Sequence, residues 1–223
     1  MAGLAGANIA HAREHFLAQT HPFKSVTLIS DLHSACLGAH DGADGGLIIC
    51  GTGSAATAYV NGEFKDKGGY GIYVGDNASG AWLGLEAIKH CLFVFDGLAD
   101  ESLVSEKICT ALKVESPQHL VSKTASYKGA QFGELAPHVV SAFRLNCPVA
   151  TELLQKGAAY LSALANQISY HKNQRLCLVG GLSDVYKPLL APSVYAQLCT
   201  PEHTAQYGVI RYAKQQLGTL LCS

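Results

Sequence analysis

The chain has 223 residues, of which 48% are apolar and 15% charged, and its formal net charge is -1 at pH 7. This length and apolar content can bury a full core, in one large domain or in two lobes of modest size. The charge balance argues against the basic surface that a nucleic-acid-binding protein needs to neutralise phosphates, so we expect no nucleic-acid partner.

The first ten residues have neither a basic flank nor an apolar stretch of the kind found in signal peptides and membrane spans, so we expect a cytoplasmic protein with no membrane partner. The eight cysteines include no C-x-x-C pair, which argues against zinc ribbons and iron–sulfur ligation. The ten histidines show no H-x-x-H or H-E-x-x-H pattern. We therefore predict no metal ligands among the side chains, and cysteines that are mostly small buried residues.

The opening of the chain predicts strand, helix, strand and helix in turn. Residues 3–7 resemble the end of a buried strand, residues 9–20 carry helix formers, and residues 26–30 form a short β-branched run. Asp31 follows that run and precedes a helical pattern over residues 32–40. Since ligands gather at the carboxyl ends of strands in open α/β sheets, Asp31 could take a proton from a hydroxyl that attacks a phosphoryl group. The alternative is an N-cap of the following helix.

A glycine-rich turn, Gly51-Thr52-Gly53-Ser54, separates an apolar strand over residues 47–50 from a second strand over residues 55–60. An Asn-Gly turn at 61–62 then predicts a hairpin to a third strand over residues 63–67. Two glycines let the backbone approach an anion, consecutive amides can bind it, and the hydroxyls add donors. The alternative is an ordinary hairpin turn that binds nothing.

A second glycine cluster, at residues 68–71, leads into Gly75-Asp76-Asn77-Ala78-Ser79-Gly80, where Ser79 is a plausible N-cap. The helix that begins there is expected to bury the face of Trp82, Leu85, Ile88 and Leu92. Asp76 could accept hydrogen bonds from sugar hydroxyls, or it could satisfy amides of its own loop. The rings of Tyr70 and Trp82 could stack on a sugar or simply pack in the core.

Helical, polar-faced segments fill residues 101–170, and a buried strand over residues 175–179 ends in Gly180-Gly181. This glycine pair would let a flat ring, such as adenine, lie against the backbone; the alternative is a plain strand-to-helix turn. A helix ending near residue 216 is predicted to close the chain.

Together, this order of motifs resembles the sugar kinases of the actin-like ATPase superfold, and within them the N-acetylglucosamine kinase and BadF/BadG/BcrA/BcrD ATPase family. The resemblance is closest to bacterial glucosamine kinases, through His21-Pro22-Phe23, Ala35-Cys36-Leu37-Gly38-Ala39-His40 and Gly51-Thr52-Gly53-Ser54. It implies an α/β fold of the actin-like ATPase (ribonuclease H-like) type, with two lobes that close over the substrates.

The resemblance also implies roles for particular residues. Asp31 matches the catalytic base for a sugar 6-hydroxyl, and Asp76 matches a carboxylate that binds sugar hydroxyls. ATP and Mg²⁺ are the implied cofactors, and a homodimer is the implied assembly. The remaining matches are to the ATP phosphate loop (Gly51, Thr52, Gly53), to the adenosine motif (Gly180, Gly181) and to the sugar site (Ser54, Ala55, Gly69, Tyr70, Gly71).

The sequence departs from this family in its first lobe. The family's Asp-Gly-Gly-Gly-Thr phosphate loop does not occur in the sequence. We therefore expect residues 1–45 to be the remnant of an incomplete N-terminal lobe and residues 46–223 to form the C-terminal lobe.

The expected activity is ATP-dependent phosphorylation of glucosamine or N-acetylglucosamine, and the sequence leaves the choice of sugar open. The alternative is a non-catalytic amino-sugar sensor or an inactive kinase fragment. An ATPase that activates radical dehydratases is disfavoured, because it needs cysteine ligands for an iron–sulfur cluster.

Overall fold

A computed structural model describes residues 2–4, 10–22, 26–170 and 174–221. Outside this part lie Phe23 of the His21-Pro22-Phe23 motif, residues 5–7 of the first predicted strand and residue 9 of the first predicted helix. The strands are β1 (Ala2–Leu4), β2 (Leu28–Ser30), β3 (Gly45–Cys50), β4 (Ser54–Val60), β5 (Glu63–Gly68) and β6 (Leu176–Val179). The helices are α1 (Ala10–Leu17), α2 (Asp31–Ala39), α3 (Gly80–Phe95), α4 (Leu103–Leu112), α5 (Pro117–Thr124), α6 (Gly129–Gly133), α7 (Ala136–Arg144), α8 (Pro148–Ile168), α9 (Ser183–Tyr186), α10 (Pro192–Tyr195) and α11 (Ala205–Leu221).

A four-stranded sheet with the order β5-β4-β3-β6 forms the centre of the molecule. The pairs β3–β4 and β4–β5 are antiparallel, which confirms the predicted three-stranded meander. Asn61 and Gly62 both have positive φ, as an Asn-Gly hairpin turn requires. The late strand β6 pairs with β3 in parallel. As a result, the carboxyl ends of β3 and β6, each followed by glycines, lie at one edge of the sheet.

Helices cover both faces of this sheet. Neighbouring residues of a strand point to opposite faces, so each face packs its own set of side chains against helices. On one face Ile48 packs into a core shared with α3, α4, α7 and α8. On the other face, Leu47 and Cys177 pack with α2 in a smaller cluster. None of the helices in the described residues is long and apolar enough to span a bilayer.

The short strands β1 and β2 form a separate parallel pair, with Gly3 opposite Ile29. Helix α11 packs against both β1 and α2. The helices approach closely at glycines: a Cβ on Gly208 would lie 1.9 Å from the carbonyl oxygen of Ser34. The closing helix thus packs on elements of residues 1–45, although the expected division placed it in 46–223; that division stays a prediction.

The predicted face of α3 is confirmed in part: Ile88 is buried in the core, whereas the other three predicted residues are partly buried against it. Ser79 does cap this helix, accepting a hydrogen bond of 3.0 Å from the amide of Trp82. The fully buried stripe, however, runs through Leu83, Ala87 and Cys91, while Trp82 is only partly buried. Helices α4, α6 and α7 all pack against α3, so the helix is enclosed more widely than one stripe of large apolar residues indicates.

Candidate active site

Asp31 is the first residue of α2 and its side chain is exposed to a cleft. The N-cap of α2 is Ser30, whose hydroxyl oxygen accepts a hydrogen bond of 3.0 Å from the amide of His33. Asp31 accepts one hydrogen bond of 2.9 Å at Oδ1, from the amide of Leu32. Ser30, and not Asp31, is therefore the N-cap of α2. Oδ2 of Asp31 has no hydrogen-bond partner in the described structure.

The cleft beside Asp31 has a volume of about 510 Å³, within the usual range of small-molecule sites. It brings together the predicted base, the glycine turn and the second glycine cluster, although they come from separate stretches of sequence. Its lining comprises Ser30, Asp31, Leu32, Ile49, Gly51, Thr52, Gly53, Ser54, Ala55, Asp66, Gly68, Gly69, Gly71 and Asp76. Of the residues predicted for the sugar site, Tyr70 is absent from this lining, and its ring is exposed.

The glycine turn is fixed by hydrogen bonds to the start of α3. Within the turn, the amide of Gly51 donates to the carbonyl of Gly53 over 2.9 Å. The amides of Gly80 and Ala81 donate to the carbonyls of Gly51 (2.7 Å) and Thr52 (3.2 Å). The turn is therefore held in place before any ligand arrives, which limits the ordering cost of binding.

Asp76 lies over this turn in a loop with unusual backbone geometry. Both Asp76 and the fully buried Ala78 have positive φ, at 53° and 68°. A Cβ on Gly53 would lie 3.0 Å from Oδ2 of Asp76, so glycine leaves room for the carboxylate. Burial raises the pKa of Asp76, and a hydrogen bond of 3.1 Å from the amide of Gly71 offsets part of that rise.

A second cavity, of about 480 Å³, shares Gly51 and Thr52 with the cleft. Its other lining residues come from α3, α6, α7, α9 and the segment after β6: Gly80, Gly133, Ala136, Pro137, Val140, Arg144, Gly181, Leu182 and Val185. A Cβ on Gly181 would meet nothing within 4 Å, so this glycine faces open space. Gly180 instead has φ of 109° and packs on the Cys50 carbonyl, where a Cβ would lie 2.4 Å from the oxygen.

Asp66 is a cleft residue that the sequence analysis missed. It accepts hydrogen bonds from the hydroxyl of Thr57 over 2.7 Å and from Nε2 of His33 over 2.8 Å. The His33 ring also stacks on Phe64, with centroids 3.9 Å apart. Burial alone would raise the pKa of Asp66, but the hydrogen bonds from His33 and Thr57 outweigh it and lower that pKa. The alternation of Phe64 and Asp66 on β5 is the signal that could have placed both on the α2 side.

Residues 1–193 match the model of the BadF/BadG/BcrA/BcrD ATPase family. The chain belongs to this family. It is 31% identical over 211 residues to a glucosamine kinase of Vibrio cholerae, covering 94% of this chain and 71% of the relative. It is also 26% identical over 130 residues to an N-acetyl-D-glucosamine kinase of Dictyostelium discoideum, of which it covers 40%.

Solved structures agree with this assignment. A candidate N-acetylglucosamine kinase from Chromobacterium violaceum superposes with a TM-score of 0.85 at 30% identity, over 92% of this chain and 72% of that one. A second candidate N-acetylglucosamine kinase, from Porphyromonas gingivalis, superposes with a TM-score of 0.70 at 19% identity, over 94% of this chain and 75% of that one. The predicted α/β, actin-like ATPase fold is confirmed, and membership of this ATPase family implies ATP use.

Proposed function

We propose that this BadF/BadG/BcrA/BcrD family member catalyses ATP-dependent transfer of a phosphoryl group to the 6-hydroxyl of an amino sugar. The glucosamine and N-acetylglucosamine kinases among its relatives support the substrate class. One observation supports the mechanism: Gly51 and Thr52 line both the cleft with Asp31 and the second cavity with Gly181. A sugar bound in the cleft and a nucleotide bound in the second cavity would therefore both contact these two residues.

Asp31 is the proposed general base. Oδ2 is free of other hydrogen bonds in the described structure, so it can accept the proton of the sugar hydroxyl as that oxygen attacks the terminal phosphorus. The phosphoryl group moves in line from the nucleotide to the oxygen, and the proton moves to the carboxylate. Most of the acceleration in such reactions comes from positioning and charge stabilisation.

The second cavity fits the nucleotide. Gly181 leaves space in this cavity for a flat ring, and Gly51 and Thr52, which also line it, belong to a tight turn that phosphate oxygens can approach. Gly180 supports Gly181 from behind by its contact with Cys50. When bound, ATP supplies the phosphoryl group.

Mg²⁺ fits the chemistry of the cleft, whose carboxylates include the hard oxygen ligands of Asp31 and Asp76. Among the described residues, the two groups of side chains close enough to form a protein cage for a metal both lie outside this cleft. We infer that the ion is held mainly by the phosphates, with at most one or two carboxylates, as is usual for Mg²⁺ at phosphoryl-transfer sites.

The sugar would lie between Asp31 and Asp76, against Ala55, Gly69 and Gly71. Ser54 is buried and donates its hydroxyl to a backbone carbonyl, so its proposed part is to shape the sugar site. Tyr70 remains a proposed sugar contact on the exposed side of the second glycine cluster. A cytoplasmic location and a homodimer belong to the same proposal.

The test is a product assay with the purified full chain, ATP, Mg²⁺ and either glucosamine or N-acetylglucosamine, read by phosphorus NMR. We expect Asp31→Asn to lower kcat by roughly 10²-fold or more while the sugar KM changes little, which is the scale of lost general-base catalysis. The matched control is Asp100→Asn, an exposed aspartate that does not line the cleft and should leave kcat unchanged. Near-normal turnover in Asp31→Asn would show that Asp31 is not the general base.

The same samples separate the kinase from a non-catalytic sensor. Calorimetric binding of an amino sugar by the wild-type chain, with no ADP and no sugar phosphate formed from either substrate, would replace the kinase proposal with the sensor.

A further inference from the structure

The segment that joins β6 to α11 is hydrogen-bonded to both β6 and α2. The amide of Cys199 donates to the carbonyl of Leu176 over 2.8 Å. Further along, the amides of Glu202 and His203 each donate over 3.0 Å, to the carbonyls of Ala39 and Gly38 at the end of α2. This backbone arrangement places Cys199 beside Cys177 on β6 and beside His40, the residue that follows α2.

These three side chains form a compact group of soft ligands. The sulfur atoms of Cys177 and Cys199 are 3.4 Å apart. A ring nitrogen of His40 and both sulfurs all lie within 4.8 Å of one another. Zinc bonds of about 2.3 Å to sulfur and about 2.0 Å to nitrogen put the ligand atoms of a tetrahedral site roughly 3.5 Å apart, so these atoms need little movement to bind one ion.

His40 has the hydrogen-bonding pattern of a metal ligand. Its side chain is 1% exposed, and Nε2 lies 2.9 Å from the carbonyl oxygen of Gly46, which can only accept. Nε2 therefore carries the proton and Nδ1 carries the lone pair. Nδ1 is buried and has no hydrogen-bond partner. A ligating histidine commonly donates its other N–H to a backbone carbonyl, and a buried nitrogen without a partner is unusual in a native protein.

We propose that His40, Cys177 and Cys199 form a binding site for a thiophilic divalent cation, with Zn²⁺ as the ion whose ligand preference fits best. Cys177 and His40 are buried, whereas Cys199 is partly exposed and gives the ion a path of entry. Three protein ligands leave the fourth position to water. Binding replaces two S–H bonds by two metal–sulfur bonds and releases two protons to solvent.

The surrounding charges suit a site with two thiolates. The guanidinium of Arg175 lies beside Cys199 and forms an ion pair of 2.6 Å with Glu202. Binding displaces the protons of both thiols, so proton release opposes it at low pH. The affinity should therefore rise as pH rises.

The consequence would be structural, because the cleft lies at the opposite end of α2. A bound ion would fasten the connection before α11 to the end of the helix that begins with Asp31. The sequence analysis predicted no metal ligand, since 22 positions separate the two cysteines and no short motif joins them to the histidine.

The test uses the full chain, stripped of metal and kept reduced with a phosphine, and titrated with Co²⁺ and then with Zn²⁺. We expect one equivalent of Co²⁺ to produce a thiolate-to-cobalt charge-transfer band that Zn²⁺ abolishes. Cys199→Ser should weaken binding on the order of 100-fold or more, since even residues that only support a ligand contribute about 10- to 100-fold.

The matched control is Cys109→Ser. Cys109 is likewise half-buried and lies beside another cysteine, Cys91, but that pair belongs to no group of three ligands in the described residues. This variant should bind the metal as the wild type does. No band in the wild type, or equal binding by Cys199→Ser and the wild type, would overturn the proposal.

A second measurement needs no variant. Saturating Zn²⁺ should abolish alkylation of Cys199 by iodoacetamide, read by mass spectrometry, and leave alkylation of Cys109 unchanged. Unchanged labelling of Cys199 at saturating Zn²⁺ would also overturn the site. Neither readout depends on turnover, so failure of the metal site and failure of the kinase proposal are distinguishable.

Discussion

Ser54 donates a hydrogen bond of 2.6 Å from its hydroxyl to the carbonyl oxygen of Asn77. This bond joins the glycine turn after β3 to the loop that carries Asp76; the Ser54 side chain is buried, whereas Asn77 is partly exposed. The two halves of the proposed sugar site thus share a contact that precedes substrate binding.

Ser54→Ala removes this donor and leaves the Asn77 carbonyl without its partner. We expect the free energy of unfolding, measured in urea, to fall by about 0.5–1.5 kcal/mol, the usual net contribution of a hydrogen bond, because Asn77 is partly exposed to water. The sugar KM should rise because the Asp76 loop loses a support. The matched control is Ser193→Ala, an exposed serine of α10 that should change stability by less than about 0.5 kcal/mol. Equal stability of the two variants would contradict the supporting role of Ser54.

The adjacent glycines Gly180 and Gly181 should respond oppositely to substitution. Gly181→Leu adds a side chain to open space in the second cavity, so stability should stay near that of the wild type while the KM for ATP rises about 10-fold or more. Gly180→Ala places a Cβ against the Cys50 carbonyl at positive φ, which should cost more than about 1 kcal/mol of stability. Thermal unfolding and ATP kinetics of the pair check both. An unchanged KM for ATP in Gly181→Leu would show that the nucleotide does not bind in the second cavity.

Asp76 should stabilise the ligand-free fold less as pH rises. Its pKa is raised by burial, so its contribution is fully present below the ordinary aspartate pKa and is lost as pH rises through the folded value. Asp76→Asn, which suits positive φ, should therefore be the more stable protein at neutral pH and should lose its advantage in acid.

The same variant should bind sugar more weakly, by roughly 10-fold or more, because a hydrogen bond to a charged group is lost. Urea unfolding between acid and neutral pH, with Asp100→Asn as the control, measures the stability difference. A constant difference across pH would show that the carboxylate does not titrate as described.

His33 and Asp66 connect the first turn of α2 to β5, next to Asp31. The pKa of Asp66 is lowered, since the hydrogen bonds from His33 and Thr57 outweigh the effect of burial; its contribution is therefore present above the ordinary aspartate pKa and is lost as pH falls through the folded value. Both side chains are partly exposed, so solvent weakens the pair.

A double-mutant cycle of His33→Ala and Asp66→Ala should give a coupling energy of about 0.5–1 kcal/mol at neutral pH, shrinking in acid. The exposed pair Asp184 and Lys187 serves as a control, with an expected coupling of about 0.3 kcal/mol. We also expect His33→Ala to lower kcat, because the helix that positions Asp31 loses a tie to the sheet. A coupling energy no greater than that of the control pair would show that His33 does not tie α2 to the sheet through Asp66.

Local sequence signals predicted the parts of the site that depend on chain direction and turn chemistry. Asp31 follows a strand, and the Asn-Gly turn fixes the meander that carries the turn at 51–54. These features depend on a few neighbouring residues, so they can be inferred without knowing what packs against them.

Contacts between distant segments could not be predicted in this way. The bond from Ser54 to Asn77, the place of Asp66 in the cleft and the approach of Cys199 to Cys177 all depend on how separate elements pack. The extent of the buried face of α3 was underestimated for the same reason, since side-chain size alone does not show that helices cover more than one side. Spacing patterns miss such pairs because no period in the sequence connects them.

The packing of α11 on α2 affects the order in which a working protein can be made. Asp31 leaves the ribosome before residues 205–221 do, so the helix on which it stands meets its packing partner only after those residues have been translated. Gly38 and Gly208 permit that late docking, because a side chain on either would collide with the opposing backbone. A nascent chain stalled between β6 and α11 would therefore hold all four strands of the sheet and its glycine turn, yet lack the helix that packs behind the proposed base.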